Sequence, residues 1–343
     1  MILPLLLAAA AAGAAPQPSP LKLFKAWTVG CDNVRACQAV ALLHNEAADD
    51  GITMSVARGA AANAPVRIVV GLPLGASDGK TGVVALAVDG KRLPAHLTEV
   101  DGGALVDPAG TATLLGALRT GTKLEALGAD GKSVGTISIA GASAALLYMD
   151  DRQQRVGTVT ALARPGPKPP SAVPPPPPPP EIAIPPASAK PPRRMPLALA
   201  ASLRKKACDG GAPDNGAPAE TFRLDAGHTI ALVPDHCDSG AYNQASLIYV
   251  AADSGPWLPA GYDTDKKNTD DPGGGALAYN ADWNASARQL EMFMKGRGLG
   301  DCGTRQSFAW DGLRFRLVAQ AEMGECRGSI DWIPTWQARA VRR

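Results

Sequence analysis

Asp235, His236, Cys237, Asp238 and Ser239 stand in one run, DHCDS, which holds each side-chain type that a Ser/His/Asp hydrolase uses. Their adjacency works against them. Neighbours on an extended chain point to opposite faces, so the three groups would not meet, and no G-x-S-x-G turn is present to lift a serine above a sheet. His44, His96 and His228 are scattered without metal-ligand spacing. DTDKKNTDD, from Asp263, resembles a calcium loop for two positions, but Lys267 takes the third ligand place and no glycine follows, so an exposed acidic turn is expected. KGRGLGDCGT, residues 295–304, has the glycine frame G-x-x-x-x-G from Gly298. A phosphate-binding loop also needs a lysine after the second glycine and a helix beyond it. Thr304 and Arg305 follow instead, the next residues read as a strand, and Asp301 spoils the dinucleotide frame G-x-G-x-x-G. No catalytic residue, cofactor or metal site is therefore expected.

The elements that position these residues begin with an address. MILPLLLAAAAAGAAPQPSP has an apolar run over 2–12, then small residues and a Pro-rich stretch, and reads as a signal peptide over 1–14. The run is shorter than the ~20 residues a bilayer span requires, and no transmembrane segment is expected after cleavage. Export to an oxidising compartment turns six cysteines into disulfides. They can pair in ~15 ways, and closeness along the chain favours Cys31 with Cys37, Cys208 with Cys237, and Cys302 with Cys326. A zinc site built from the last four lacks any C-x-x-C pair. The net charge of +2 gives no reason to expect a nucleic-acid partner.

Residues 164–196 hold 16 of the 31 prolines. Proline lacks the N–H that helix and sheet need, so this reads as a linker. In the polyproline conformation, at ~3.1 Å per residue, it could hold two domains on the order of 100 Å apart. The fold expected is mainly β (α+β): two β-rich domains, 21–163 and 197–343, with a few short helices.

In the first domain FKAWTVGCDNVRACQAVALL suggests a disulfide-locked hairpin in which Cys31 faces Cys37, Val29 faces Ala39 and Trp27 faces Ala41. Asp89-Gly90 is a turn signal, and helices are expected near 111–120 and from Ser143. In the second domain a helix should begin at Pro196 and end at Arg204, Lys205 and Lys206, cations that suit its negative pole. Joined to Arg193 and Arg194, those cations could instead form a patch for an anionic polymer. Asp311-Gly312 predicts a two-residue hairpin turn setting Trp310 against Leu313 and Phe308 against Phe315.

Thirteen of the 16 aromatic residues follow the linker. Trp310 reads as core of its hairpin. Trp257 and Trp283, in Gly/Pro/Asn-rich segments, are the candidates for an exposed binding surface, with Asn280 and Arg297 as polar companions.

Two resemblances join these readings. The W-T-V-x-C start with its second cysteine, Leu72-Pro73-Leu74-Gly75, Val88-Asp89-Gly90, Leu118 with Gly121, Ser138-Ile139-Ala140-Gly141 and Ala144-Ala145-Leu146 are similar to the invasion-associated locus B family of exported proteobacterial proteins. That family usually has a further cysteine pair in the middle of the domain, absent here. KGRGLGDCG, then WDG-x-x-F-x-L, then GECRGSIDW with Trp336 resemble DUF1176, an exported proteobacterial family of unknown function. The resemblances imply a β-rich envelope protein and bring no activity. The expectation is a periplasmic or secreted, non-catalytic protein that binds an envelope polymer (peptidoglycan or an anionic glycan) or a protein. The alternatives are a cell-wall hydrolase depending on His236 and a lysozyme-inhibitor-like binder.

Overall fold

The computed structural model describes residues 15–44, 52–71, 82–101, 103–208, 216–263 and 276–342. The segment read as a signal peptide, and the acidic turn beyond Asp263, lie outside them.

WTVGC and CQAVA are apolar at their odd positions and carry Thr28, Gly30, Gln38 and Val40 at the even ones, yet both faces of the pair are covered. They pair antiparallel with the predicted register, Cys31 opposite Cys37, Val29 opposite Ala39, Trp27 opposite Ala41. The odd positions enter one core and the even ones, Val40 and then Leu42, enter another. These strands belong to a seven-stranded sheet whose order runs Lys22–Phe24, Trp27–Cys31, Cys37–Ala41, Met54–Arg58, Val66–Gly71, Gly103–Val106, Leu97–Val100. A four-stranded sheet (Ser133–Ser138, Lys123–Leu127, Ala85–Val88, Lys91–Arg92) contributes to the same core. Its Asp89-Gly90 turn has both residues at positive φ, +49° and +78°, as the tight hairpin predicted there demands.

Helices α1 (Pro108–Thr120) and α2 (Ala142–Arg152) add Leu114, Leu115 and Leu118, and Ala145, Leu146 and Met149, to this core. α1 begins one turn earlier than the apolar spacing suggested. The Asp107 carboxylate accepts the Gly110 N–H at 3.0 Å, and Pro108 at the first turn has no N–H to lose.

The C-terminal part pairs two five-stranded sheets. One holds Glu220–Arg223, His228–Asp235, Ala245–Ala252, Trp257–Pro259 and Ala276–Tyr279; the other holds Asp282–Asn284, Gln289–Lys295, Gly303–Trp310, Phe315–Met323 and Ile333–Gln337. His228–Asp235 again faces two ways. Ile230 and Leu232 meet Trp283, Leu290, Phe308 and Phe315 of the second sheet, while Ala231 and Val233 lie in the cluster completed by helix α3 (Leu197–Ala207).

Near Asp311 the register differs from expectation. Trp310 pairs with Phe315, and Phe308 with Leu317. The Asp311 carboxylate accepts the N–H groups of Leu313 and Arg314, both at 2.9 Å, which widens the turn to four residues. The shift is even, so the aromatic side chains keep their face, while Leu313 moves out to 81% exposure.

The Pro-rich segment is not an extended spacer. Glu181–Ile184 forms a parallel pair with Arg339–Arg342, and Ile182 and Ile184 bury against Ala309. Proline lacks a donor but keeps its carbonyl. Arg35 donates to the carbonyls of Pro174 and Pro175, Arg223 to that of Pro191, and Arg288 to that of Pro185. The N- and C-terminal parts touch directly. Val40 and Leu42 pack with Cys302, Met323 and Ile333, and Leu43 and Arg327 exchange two hydrogen bonds. A Cβ on Gly30 would fall 2.8 Å from Ile333 Cγ2, so glycine permits the approach.

Candidate functional site

The outer face of the second C-terminal sheet presents its side chains in rows. Asp282, Glu291, Ser307 and Ala319 are paired in one, and Phe293, Arg305, Ala321 and Pro334 in the next. Over one end stands the loop closed by the Cys31–Cys37 disulfide, contributing Asp32 and Ala36. Together they enclose a cleft of about 610 Å³ between the two parts of the chain. A smaller hollow of about 230 Å³, lined by Gln38, Ala57, Arg58 and Arg67, shares Ala36 and Pro334 with it and carries the groove on over the N-terminal part.

The wall of the cleft is pinned. Asp32 Oδ1 accepts the N–H groups of Val34 and Ala36, its Oδ2 accepts from Gln337 Nε2, and Asn33 and the Gln337 backbone exchange bonds of 2.7 and 2.9 Å. Burial pushes the Asp32 carboxyl above the ordinary carboxylate range, against those hydrogen bonds. Asp331, beside Ser55 and Arg67 of the N-terminal part, is raised by burial as well. On the floor, the Arg305 guanidinium lies 4.5 Å from the Phe293 ring centre and 4.4 Å from that of Trp332. The two rings meet edge to face at 5.1 Å, so the cation rests against an aromatic support while remaining exposed. Asp282 and Glu291 are exposed along the rim. An apolar floor, a carboxylate rim and one stacked guanidinium suit an extended ligand bearing amino groups and a carboxylate.

The four residues expected to form a binding surface do not converge. Trp257 is 9% exposed beneath Arg193, and Trp283 is 7% exposed between the two C-terminal sheets. A small β domain fills its core with its largest rings, and local turn composition does not reveal which way a ring points. Asn280 has φ +44° and spends its amide on the Tyr242 and Phe293 carbonyls and the Asn243 side chain; it borders the cleft as a turn residue. Arg297 forms a two-pronged pair with Asp301, whose Oδ2 also accepts the Gly328 N–H. The glycine-rich stretch is thus a turn braced by Asp301 and the Cys302–Cys326 disulfide, with a strand after it. The basic patch is broken too: Arg204 is 1% exposed and donates to the Ala217 carbonyl, and Arg193 donates to Ala252 and Gly255.

In DHCDS, Ser239 Oγ donates to the Asp235 carbonyl rather than to an imidazole, and both ring nitrogens of His236 are buried without a partner. Cys237 is joined to Cys208. His228, by contrast, is held: its Nδ1 lies 2.9 Å from the Asp225 carboxylate, which also accepts from Trp310 Nε1 at 2.8 Å. Burial opposes ionisation of Asp225, but these bonds and the Gly227 N–H keep its pKa below the usual value.

The sequence reading missed Asp32, Asp282, Glu291, Phe293 and Arg305. The alternation Glu291, Phe293, Lys295 marks an outward face. Nothing local announces that a loop some 250 residues earlier, at 31–37, would cover it.

The chain matches the model of a family described as protein of unknown function, DUF1176, over residues 21–339. It is 30% identical over 339 residues to the uncharacterized protein YpfG of Escherichia coli K12, covering 93% of each chain. The crystal structure of invasion associated protein B from Bartonella henselae is similar over 40% of this chain and 99% of that one, with 23% identity and a TM-score of 0.29. Among the described residues three disulfides are closed, and no helix is long and apolar enough to cross a membrane.

Proposed function

The chain belongs to the DUF1176 family, whose function is unknown, and from that premise we propose that it is an exported, non-catalytic envelope protein that binds a peptide-bearing cell-wall polymer in the cleft between its two parts. One observation carries the reading: a groove of about 610 Å³ whose floor and wall come from opposite ends of the chain, with the wall locked in place by Asp32, Asn33 and Gln337. A preformed, rigid groove limits the ordering cost of binding. Three closed disulfides support an oxidising compartment. The exposed acids and the stacked Arg305 match stem peptides, which display both amines and carboxylates. A hydrolase working through His236 has weaker support, because Ser239 is engaged with backbone.

The test is co-sedimentation of the full chain with purified peptidoglycan at low and high salt. Pelleting that falls about tenfold in Arg305→Ala and in Glu291→Lys, with the Trp257→Phe core variant unaffected, is the expected result. Absence of pelleting at both salts, or pelleting indifferent to both cleft variants, would overturn it.

A further inference from the structure

The end of the His228–Asp235 strand carries a group of side chains that the cleft does not use. The Sγ atoms of Cys208 and Cys237 and a ring nitrogen of His236 all lie within 4.8 Å of one another. Cys208 hangs from the end of α3 and the other two follow the strand, so two rigid elements bring the three together. Both His236 nitrogens are buried and unpartnered, and so is Oδ2 of Asp235, a residue only 1% exposed. A buried polar atom without a partner has given up water and gained nothing in exchange. Here three occur within two consecutive residues, beside two sulfurs. Asp235 Oδ1 lies 3.8 Å from Cys208 Sγ, and burial together with the charges of Asp238 and Asp235 raises the Tyr279 phenol. The surroundings are therefore negative and short of donors, which favours a cation.

The disulfide in this group is also the most accessible of the three, with Cys326 of the Cys302–Cys326 bridge only half-buried but Cys237 the one exposed cysteine. Cys237 is exposed, whereas Cys31, Cys37 and Cys302 are all at most 4% exposed. Thiol–disulfide exchange needs in-line access to a sulfur, so an incoming dithiol reaches this bridge first.

We propose that Cys208, Cys237 and His236 form a redox-gated site for a thiophilic cation of the Zn²⁺ class, closed as a disulfide and opened by a dithiol. In the exchange the dithiol gives two electrons and two protons. Its own sulfurs join as a new disulfide while the Cys208–Cys237 bond breaks to two thiols. The metal then displaces both thiol protons to solvent and takes two thiolates and one imidazole nitrogen, leaving a fourth position for water. Zinc bonds of ~2.3 Å to sulfur and ~2.0 Å to nitrogen require donor atoms within ~4 Å of one another, about an ångström inside the observed envelope.

The experiment treats the folded full-length protein with a mild dithiol under nitrogen and maps the opened pair by alkylation and mass spectrometry. Zn²⁺ is then titrated in competition with a chromogenic chelator. The expected result is opening of Cys208–Cys237 first, one Zn²⁺ taken up by the reduced form and none by the oxidised form. His236→Ala keeps the disulfide and should weaken uptake by at least about tenfold. Cobalt(II) should give thiolate charge-transfer absorption in the reduced wild type. Three results would overturn the proposal: a bridge that opens only with loss of the far-UV β signal, a reduced form that binds no more Zn²⁺ than the oxidised one, or His236→Ala binding as tightly as wild type.

Discussion

The two parts of the molecule differ in how completely their buried polar groups are paired. In the N-terminal part the buried charges of Arg58, Asp150 and Arg155 are saturated, and among the described residues Arg35 Nε is the one buried polar atom without a partner. Arg58 donates to Asp150, Gln153 and the Thr160 carbonyl, and the Asp150 carboxylate also accepts the N–H groups of Leu162 and Ala163. Arg155 spends its guanidinium on Gln153, Thr160 and the carbonyls of Ala60, Ala61 and Ala62. In the C-terminal part, among the described residues, His236, Asp235, Tyr262, Trp257 and Trp332 each keep a buried polar atom without a partner. A fully paired network serves to fix one fold, whereas unpaired atoms mark places where a ligand could still be accommodated. The contrast fits the proposed division, with scaffolding in the first part and most of the proposed binding groups in the second.

Breaking the saturated network should have the largest effect. Asp150→Ala leaves Arg58, whose pKa burial and Arg155 already depress to about 10, without its carboxylate. The expected loss is about 3–5 kcal/mol. Denaturant unfolding should then separate into two transitions, the destabilised N-terminal part melting first by far-UV circular dichroism and the C-terminal part, which holds five of the six tryptophans, later by fluorescence. A single unshifted transition would show that the network contributes little.

Parting the two halves comes next. Gly30→Val drives a side chain into Ile333 and Leu21 and should cost about 1–3 kcal/mol. It should also weaken peptidoglycan pelleting, since the cleft needs its wall, while leaving Zn²⁺ uptake by the reduced form unchanged. Loss of both activities would mean that the two sites are not independent.

The smallest effect is on pH. Asp32 and Asp331, at the junction, have raised pKa values in the folded protein because burial disfavours their charge. The folded state therefore holds their protons more tightly than the unfolded chain does. Their ionisation costs stability at neutral pH, and the cost disappears as pH falls through the folded values toward the unfolded value near 3.8. Asp225 and Asp301 are lowered, so their contribution is lost only below that range. The melting temperature should accordingly rise slightly as pH falls from neutrality toward the unfolded value near 3.8. Calorimetry on Asp32→Asn should show a smaller rise.

Much of the local structure was legible in the chain because its determinants are local. Placing Cys31 opposite Cys37 gave the register of the Trp27–Cys31 and Cys37–Ala41 pair to the residue, Asp89-Gly90 gave a turn that requires positive φ, and closeness along the chain gave the pairing of the six cysteines. Local chemistry also misled. Asp311-Gly312 signals a two-residue turn, but the reach of the Asp311 carboxylate to two N–H groups made it four.

The sequence by itself determined the family, the β-rich class, the disulfides and the turn leading into a strand at 295–304, since each depends on residue type and short spacing. Only the tertiary structure decided that the Pro-rich segment lies against the C-terminal part, that Trp257 and Trp283 point inward, and that a loop from residues 31–37 roofs a sheet face near residue 300. Those outcomes depend on which surfaces bury together. Apolar patterning says that a face will be covered; shape and the remaining partners select what covers it.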